Sequence, residues 1–376
     1  MIYLMPTPNS VLIIGAGIAG LTIAEQIIRH QQRLAVTIVG ATDERAQRVS
    51  FWRDRSRSSA LTLPGAQSWS AWSFNTPKLG FSLQRGKTLE YVSFDARSYK
   101  AHLTDSLQQA GVRLIDDLVK SVQKRSQGFH VETSQGPIEA DVVIDTRPPA
   151  LPESTLKQQF VGRTLTTQSP HAIAHPVLMD FNIAPIAPNG ISFIYALPLS
   201  DTRLLIEATT FSYDTLAQEP YEKAIDEWIQ AHLPAVELTP NNEVEQGILP
   251  MGPVTPRQPE LLSAGLAGNA ARHATGYAFT GIMRQAEYFS EALRTGQGLT
   301  TIQPYSARSR WMDSLFLDLM RDNPAHLIQL FEAMAHSLTG DDFAHFLSDT
   351  GGWTPCLRTI VAAPKRPFLA ALWKRL

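Results

Sequence analysis

Two glutamates in this chain have surroundings suited to acid–base chemistry, and the first of them is Glu207. It follows the apolar run RLLI within the strand-like segment 193–214. Strand alternation places Glu207 on one face together with Leu205 and Thr209. A carboxyl among apolar neighbours loses hydration, which raises its pKa and keeps it protonated as an acid. The alternative is a glutamate that pairs with an arginine or simply faces solvent.

The second glutamate, Glu245, lies in the segment EQGILPM beside Gly247 and Pro250. Three interpretations fit this position: a catalytic carboxyl, a residue of a cofactor site and a surface charge. The spacing alone favours the surface charge. Glu245 is nevertheless a candidate catalytic residue.

The motif GAGIAG supplies three glycines with separate structural roles. Gly15 allows a tight turn, Gly17 lets the backbone approach a pyrophosphate, and Gly20 lets a helix pack on a strand. The N-terminus of that helix offers unpaired N–H groups and the positive end of its dipole to phosphates. Because the motif lies between an apolar strand and a helix, residues 11–20 are predicted to bind the ADP half of a dinucleotide, with FAD as the first candidate.

The strand after this helix departs from the usual dinucleotide-binding pattern at its end. An Asp or Glu there normally binds the ribose hydroxyls, whereas this chain has Gly40. Asp43 or Glu44, a few residues further along, is the candidate replacement.

The segment ADVVIDTRPPAL, residues 140–151, reads as a later strand of the same sheet. Ligands bind at the carboxyl ends of parallel strands, so Asp145 and Arg147 are candidate cofactor-binding residues. The alternative is a capped turn in which these two side chains pair only with each other.

A glycine-rich segment at residues 268–282 resembles the late glycine-rich segment of many FAD enzymes. There a helix N-terminus faces the flavin or the phosphates. His273 in this segment is interpreted as structural. The candidate cofactor-binding residues are Gly268, Thr275, Gly276 and Tyr277.

The predicted elements form a framework that could position these residues. Residues 46–94 are rich in Trp, Ser and Arg without clear periodicity, and are expected to be irregular with short strands over a site. The βαβ unit at the start has strands at 11–14 and 35–39 around a helix at 18–31. The other predicted strands are at 140–144, 177–181, 191–197, 203–210 and 244–248, with a hairpin at 129–139. The other predicted helices are at 97–110 and 221–232, one that follows the glycine-rich segment and runs to about residue 294, and several over the last seventy residues.

This order of elements predicts an α/β fold. A Rossmann-like FAD-binding domain is expected to be interleaved with a β-sheet substrate domain, followed by a helical C-terminal region. The predicted boundaries are 1–45, 95–150 and 260–300 for the FAD-binding domain, 46–94 and 151–259 for the substrate domain, and 301–376 for the helical region.

The composition excludes several classes of function. The chain has 376 residues and a net charge of −2 with mixed signs, which gives no electrostatic case for binding nucleic acid. One cysteine, Cys356, excludes an internal disulfide or a thiolate cluster, and His171 and His175 lack the carboxylates of a metal site. Without a secretory signal or a spanning apolar segment, the protein is expected in the cytoplasm. The sequence carries no signal for an oligomeric state.

A series of motifs over nearly the whole chain resembles the flavoprotein lycopene cyclase family of carotenoid-producing bacteria. The matching segments are GAGIAG, SFWRD, SFDARSYKAHL, DVVIDTRP, QQFVGRTL to HPVLMDF, FIYALPLS, LLIEATTFS, EQGILPM, AGNAARHATGYAFTGIMRQA, FLSD and PKRPFLAAL. The resemblance implies that Glu207 is the acid–base residue and that Glu245 is also important. It further implies FAD in its reduced form, NAD(P)H as the electron donor, and a linear C40 polyene held at the membrane as substrate.

The implied reaction is the redox-neutral cyclisation of the end group of lycopene to a β-ring. Protonation of a terminal alkene gives a tertiary carbocation, the neighbouring double bond closes a six-membered ring, and a proton then leaves. A poised acid, an apolar pocket and nearby negative charge promote such steps, and an anionic reduced flavin is the implied source of that charge. Aromatic faces add cation–π stabilisation, for which the candidates are Trp69, Trp72, Phe193 and Tyr195.

Three departures from the family pattern leave other substrates open. Arg48 and Val49 replace a Thr-Trp pair, Gly40 replaces the ribose carboxylate, and residues 55–68 do not follow the family. The alternatives are a FAD-dependent monooxygenase, a cyclase of another polyene or prenylated substrate, and a non-catalytic flavoprotein that binds isoprenoids.

The C-terminal segment KRPFLAALWKRL mixes apolar and basic residues. As a short basic amphipathic helix it could hold the protein peripherally on anionic lipid at the inner face of the cytoplasmic membrane. The alternative is a terminal helix that docks on the protein's own core.

Overall fold

The structure is a computed structural model that describes residues 8–31, 33–41, 43, 45–234, 237–239 and 243–373. The strands are β1 (Ser10–Ile14), β2 (Ala35–Val39), β3 (Arg48–Asp54), β4 (Gln67–Trp69), β5 (Ala71–Thr76), β6 (Gly80–Arg85), β7 (Leu89–Asp95), β8 (Arg113–Ile115), β9 (Val119–Lys124), β10 (Phe129–Thr133), β11 (Gly136–Ala140), β12 (Val142–Asp145), β13 (Leu156–Thr166), β14 (Val177–Asp180), β15 (Ile191–Ser200), β16 (Arg203–Ser212), β17 (Glu243–Met251) and β18 (Leu262–Ser263). The helices are α1 (Ile18–His30), α2 (Ala96–Gln109), α3 (Glu219–His232), α4 (Phe279–Thr295), α5 (Ala307–Asp322), α6 (Ala325–Ser337), α7 (Gly340–Ser348), α8 (Thr354–Ala362) and α9 (Lys365–Trp373).

A five-stranded parallel sheet forms the first layer, in the order β18-β12-β1-β2-β8. Strand β1 is apolar throughout its centre because both of its faces are covered. On one face Val11 and Ile13 pack with α1, α2 and α4, and on the other Leu12 and Ile14 pack with the small antiparallel sheet β11-β10-β9. The predicted βαβ unit and the predicted α/β fold are therefore confirmed.

A larger, mostly antiparallel sheet has the order β17-β13-β16-β15-β14-β5-β6. One face is covered by α3, whose Trp228 packs with Ile206, and the other face packs on the C-terminal helices around Phe316. Strand β13 lies between β16 and β17, but the sequence did not predict it. Its start is LKQQ, and these polar residues hide the alternation of the strand.

Residues 46–94 are more regular than expected, because they form β3 to β7. Three of these strands make a separate sheet, β3-β7-β4, and the other two extend the seven-stranded sheet. The alternation of β3 is obscured because both faces are buried. Phe51 packs in the cluster of the parallel sheet, whereas Trp52 packs in the cluster below the larger sheet. The domain boundaries drawn from the sequence stay a prediction.

The C-terminal region is helical, as predicted, and its helices α5 to α7 supply part of the core. Helix α9 lies against α5, where Phe368 packs on that core while Trp373 is 78% exposed. This contact fits the docked alternative for the C-terminal segment, and a membrane contact stays a prediction. No helix in the described ranges is both long and apolar enough to cross a bilayer.

Candidate active site

The glycine turn between β1 and α1 has the geometry of a phosphate-binding loop. Gly15 has a φ of +112°, and a Cβ there would lie 2.5 Å from Thr146 Oγ1. A Cβ at Gly20 would overlap the carbonyl oxygen of Gly15. Gly17, by contrast, has no atom within 4 Å of a Cβ, and no side chain caps the helix that starts after it. The open space at Gly17 therefore faces unpaired N–H groups, as an anion site requires.

The structure explains why the second strand ends in a glycine. A Cβ at Gly40 would overlap the backbone nitrogen of Ala16 and lie 2.9 Å from the carbonyl carbon of Gly15. No side chain fits at this position while the glycine turn keeps its place. The usual ribose carboxylate is therefore excluded by the close approach of two backbone segments.

Asp43, a candidate ribose partner, is held in an ion pair. Arg45 donates to its two carboxylate oxygens at 3.0 and 2.8 Å, and these hydrogen bonds lower the pKa of Asp43 to about 2. The Lys100 ammonium donates to its carbonyl oxygen. A ribose contact would have to displace Arg45, so this role stays a prediction. Glu44 lies outside the described residues.

Asp145 and Arg147 pair with each other at the carboxyl edge of the parallel sheet. The guanidinium donates to both carboxylate oxygens, at 2.9 and 2.7 Å, and the Arg147 N–H donates to Asp145 at 3.0 Å. The capped turn is thus observed, while the cofactor role of both residues stays a prediction. Thr146 between them contacts Gly15 and donates to the carbonyl of Ile14 at 2.8 Å. The sequence analysis missed Thr146, although it lies between the two predicted residues.

The late glycine-rich segment lies over the N-terminal end of α1. A Cβ at Gly265 would lie 2.9 Å from the Ala19 Cβ, a contact that the sequence analysis missed. Further along, Thr275 Oγ1 is buried without a hydrogen-bond partner among the described residues, as is Gln158 Oε1, which lies against Gly276. Buried polar atoms that lack a partner in this segment fit a polar ligand.

Gly268 has an internal packing role. A Cβ there would lie 2.6 Å from the carbonyl oxygen of Ser263 and 2.9 Å from Gln285 Nε2. Gln285 also accepts from the N–H of Gly265 and donates to the carbonyl of Gly268. The observed contacts of Gly268 therefore hold the segment in shape, and a direct cofactor contact stays a prediction.

The two candidate glutamates meet across a single glycine. Gly162 of β13 pairs with Glu207 of β16 on one side and with Glu245 of β17 on the other. A Cβ at Gly162 would lie 2.8 Å from the Cγ of Glu207 and 3.0 Å from the Cγ of Glu245. The absent side chain therefore makes the space that both carboxyls occupy. Gly162 was missed because β13 was not predicted as a strand.

Burial sets the charge state of this carboxyl pair. Glu245 is 5% exposed, so the surface-charge interpretation is wrong. Burial, and then the negative charge of Glu245, raises the pKa of Glu207 well above its usual range. Burial also raises the pKa of Glu245, but its interactions with Glu207 and Arg48 oppose the rise. Both pKa values are raised, and more so that of Glu207, whose carboxyl therefore favours the protonated form more strongly than that of Glu245 does.

Arg48, one of the departures from the family pattern, contacts this pair. Its backbone N–H donates to Glu245 Oε2 at 2.6 Å, a bond that any residue except proline could make. Its side chain donates to Ser93 at 3.0 Å and to Gln67 at 2.9 Å. The other oxygen of Glu245, Oε1, is buried without a hydrogen-bond partner in the described part of the chain.

Four hydroxyl groups form a chain of hydrogen bonds beside the carboxyl pair. Ser50 Oγ lies 2.9 Å from the Tyr195 hydroxyl oxygen. The Tyr91 hydroxyl oxygen lies 2.9 Å from that of Tyr195 and 3.1 Å from that of Tyr277. Tyr195 pairs with Glu207 across β15 and β16. This hydroxyl chain therefore runs from a cross-strand neighbour of Glu207 to the late glycine-rich segment, where Tyr277 was predicted to bind the cofactor.

Aromatic rings surround the hydroxyl chain. The Trp52 ring lies 4.5 Å from Tyr91 and 4.4 Å from Trp72, and its Nε1 is buried without a partner among the described residues. Trp69 lies 6.4 Å from Tyr91. Of the four cation–π candidates, Trp69 and Tyr195 therefore lie beside the site. Trp72 lies behind Trp52, and Phe193 packs in the core.

Solved structures share this fold at low sequence identity. The flavin-dependent brominase Bmp2 superposes with a TM-score of 0.65 at 12% identity, covering 97% of this chain and 99% of that one. A geranylgeranyl bacteriochlorophyll reductase-like protein from Thermoplasma acidophilum superposes with a TM-score of 0.60 at 15% sequence identity, covering 98% of this chain and 99% of that one. Klebsiella pneumoniae HpxO, solved with FAD and uric acid, superposes with a TM-score of 0.61 at 12% sequence identity, covering 94% of this chain and 97% of that one.

The sequence comparisons identify the family. A lycopene beta-cyclase of Pantoea ananas is 29% identical over 231 residues, 57% of this chain and 58% of that protein. One of Paracoccus sp. (strain N81106 / MBIC 01143) is 33% identical over 181 residues, 46% of this chain and 39% of that protein. The matched regions thus span about half of the curated relatives. The family model described as lycopene cyclase protein matches residues 10–371. The chain therefore belongs to the lycopene cyclase family.

Proposed function

We propose that this protein cyclises the end group of a linear carotenoid, converting lycopene to a β-ring product without net oxidation or reduction. The observation that carries the proposal is the buried pair Glu207 and Glu245, which meet across Gly162. Such a pair provides one acid and one fixed negative charge in an apolar site. Curated relatives named lycopene beta-cyclase support the choice of substrate.

In this proposal Glu207 starts the reaction by protonating the terminal alkene. Its raised pKa favours the protonated carboxyl, and burial excludes the water that would trap a cation. The tertiary carbocation is attacked by the neighbouring double bond, and the ring forms. Glu245 then lies near the developing positive charge, where a low dielectric strengthens their attraction.

The glycine turn fits FAD as the cofactor. Gly15, Gly17 and Gly20 would hold the pyrophosphate at the N-terminus of α1, and Thr275 of the late glycine-rich segment has a buried hydroxyl without a partner among the described residues. The solved FAD complex with the same fold supports this choice. Bound FAD, reduced with NAD(P)H as the electron donor, would supply further negative charge close to the carbocation.

Replacing Gly17 with valine is expected to remove FAD without unfolding the protein. A side chain at Gly17 meets no atom of the chain, but it fills the space that the pyrophosphate requires. The measurement is flavin absorbance of the purified protein together with its melting temperature. FAD retained at one equivalent in the folded variant would contradict the assignment of the phosphate site.

The pH dependence of turnover should report the carboxyl pair. Because the active pair has Glu207 protonated and Glu245 ionised, kcat is expected to fall at low pH as Glu245 takes up a proton, and to fall again as pH rises through the raised pKa of Glu207. In Glu245→Gln the neighbouring negative charge is absent, so the pKa of Glu207 falls and the high-pH decline moves to lower pH. A decline at the wild-type pH or above it would contradict the charge assignment.

Expression in a lycopene-accumulating bacterial strain tests the choice of substrate. The expected result is that β-ring carotenoids replace lycopene in the extracted pigments. Soluble, flavin-loaded protein that leaves lycopene unchanged would contradict this substrate and favour another polyene or a prenylated compound.

A further inference from the structure

The proposed cyclisation ends with loss of a proton from the ring, and Glu207 must regain a proton before the next turnover. We propose that the hydroxyl chain of Ser50, Tyr195, Tyr91 and Tyr277 is a proton relay that takes up the released proton and returns one to Glu207. This inference rests on the proposed function. It concerns how the site is reset, which the assignment of Glu207 as acid leaves open.

The members of the chain come from separate parts of the fold and bond to one another. Ser50 lies on β3, Tyr195 on β15, Tyr91 on β7 and Tyr277 in the late glycine-rich segment, with successive oxygens 2.9, 2.9 and 3.1 Å apart. Each hydroxyl both donates and accepts, so the hydrogen bonds can reverse direction together. That reversal moves a proton along the chain without moving a heavy atom.

Other buried tyrosines of this protein make isolated contacts. The Tyr99 hydroxyl bonds to Thr22 at 3.2 Å, that of Tyr221 bonds to Thr210 at 2.6 Å, and that of Tyr305 donates to a backbone carbonyl. One such contact satisfies a buried phenol. Satisfying polar groups therefore does not require four hydroxyls to meet in one chain.

Tyr195 and Tyr277 lie in suitable places for delivering and accepting a proton. Tyr195 is the cross-strand neighbour of Glu207, so the two side chains lie on the same face of the larger sheet. The Tyr277 hydroxyl has Tyr91 as its only hydrogen-bond partner among the described residues. It can therefore accept a proton from outside the chain.

The proton count of the relay balances. The ring cation loses a proton to the Tyr277 oxygen as its C–H electrons form the ring double bond. Tyr277 passes its own proton to Tyr91, Tyr91 to Tyr195, and Tyr195 to the Glu207 carboxylate. Burial raises the pKa of all three phenols well above the usual value, so they stay neutral and the transfers occur together.

Electrostatics favours this direction of transfer. Once Glu207 has given up its proton, two buried carboxylates face each other across Gly162 with Arg48 as the nearby cation. Like charges so close in an apolar site repel strongly. Return of a proton to Glu207 restores the favourable single charge.

Tyr91→Phe tests the relay, because it removes the central hydroxyl and keeps the ring that packs on Trp52. The expected result is a fall in kcat of about tenfold or more, with FAD bound, and a solvent deuterium isotope effect on kcat different from that of the wild type. Tyr277→Phe removes the hydroxyl that takes up the released proton and decides the question if Tyr91→Phe does not fold. Tyr99→Phe is the matched control and should keep the wild-type rate and isotope effect.

Two results would overturn the relay. One is a rate within threefold of the wild type in the folded variants. The other is a slow variant with the wild-type isotope effect, because the hydroxyls would then only hold the rings in place. If the wild type forms no cyclic product, the proposed function itself fails. If it does and these variants match Tyr99→Phe, the relay alone fails.

Discussion

Glu207→Gln is expected to lower turnover by about 10²–10⁴-fold, the usual contribution of a positioned acid, while FAD stays bound. Glutamine has nearly the same shape as glutamic acid, so the packing around Gly162 is kept. Its amide cannot give a proton to an alkene. The measurement is kcat with saturating polyene, together with flavin absorbance to show that the site is formed.

Glu243→Gln is the matched control for this substitution. Glu243 lies on β17, like Glu245, but its side chain is exposed and pairs with Arg97. Its loss should leave kcat close to the wild-type value. Near-normal turnover by Glu207→Gln would show that another group supplies the proton.

Gly162→Ala is the second substitution with a large expected effect. The added Cβ would lie 2.8 and 3.0 Å from the Cγ atoms of Glu207 and Glu245, so both carboxyls must move. Overpacking of this kind lowers the free energy of unfolding by about 1–3 kcal/mol. Turnover should fall much further than stability does, since the proton donor is displaced from the substrate. Melting temperature and kcat measured on the same sample separate the two effects.

Gly247→Ala provides a control with comparable crowding. A Cβ there would lie 2.7 Å from the ring of Phe160, in the same sheet but one row along from the two carboxyls and without contact with either Cγ. It should be destabilised while keeping most of its turnover. If Gly162→Ala and Gly247→Ala lost turnover equally, the role of Gly162 in positioning the carboxyls would be contradicted.

Features that depend on local sequence were predictable. The strand, turn and helix around Gly15 follow from an apolar run, three spaced glycines and helical periodicity over consecutive residues. The strands that carry Glu207 and Glu245 were also predicted close to their observed bounds, because alternation and β-branched residues mark them. Each glutamate could thus be assigned to a strand.

The meeting of the two glutamates could not be read from the sequence. It depends on β13 lying between β16 and β17, and such pairings join distant parts of the chain. The polar start of β13 hid the strand that carries Gly162. The hydroxyl chain could not be predicted for a related reason. Phe51 and Trp52 of β3 are buried in different hydrophobic clusters, so this strand shows no alternation of polar and apolar residues in the sequence.

The central claim is that an acid–base pair, rather than oxygen transfer, transforms the polyene. The most direct test is to incubate the purified, reduced enzyme with lycopene and measure the mass of the product and the NAD(P)H consumed. A product isomeric with lycopene, formed over many turnovers per NAD(P)H oxidised, is the predicted result. A product heavier by one oxygen atom, with NAD(P)H oxidised in step with its formation, would contradict the claim and identify a monooxygenase.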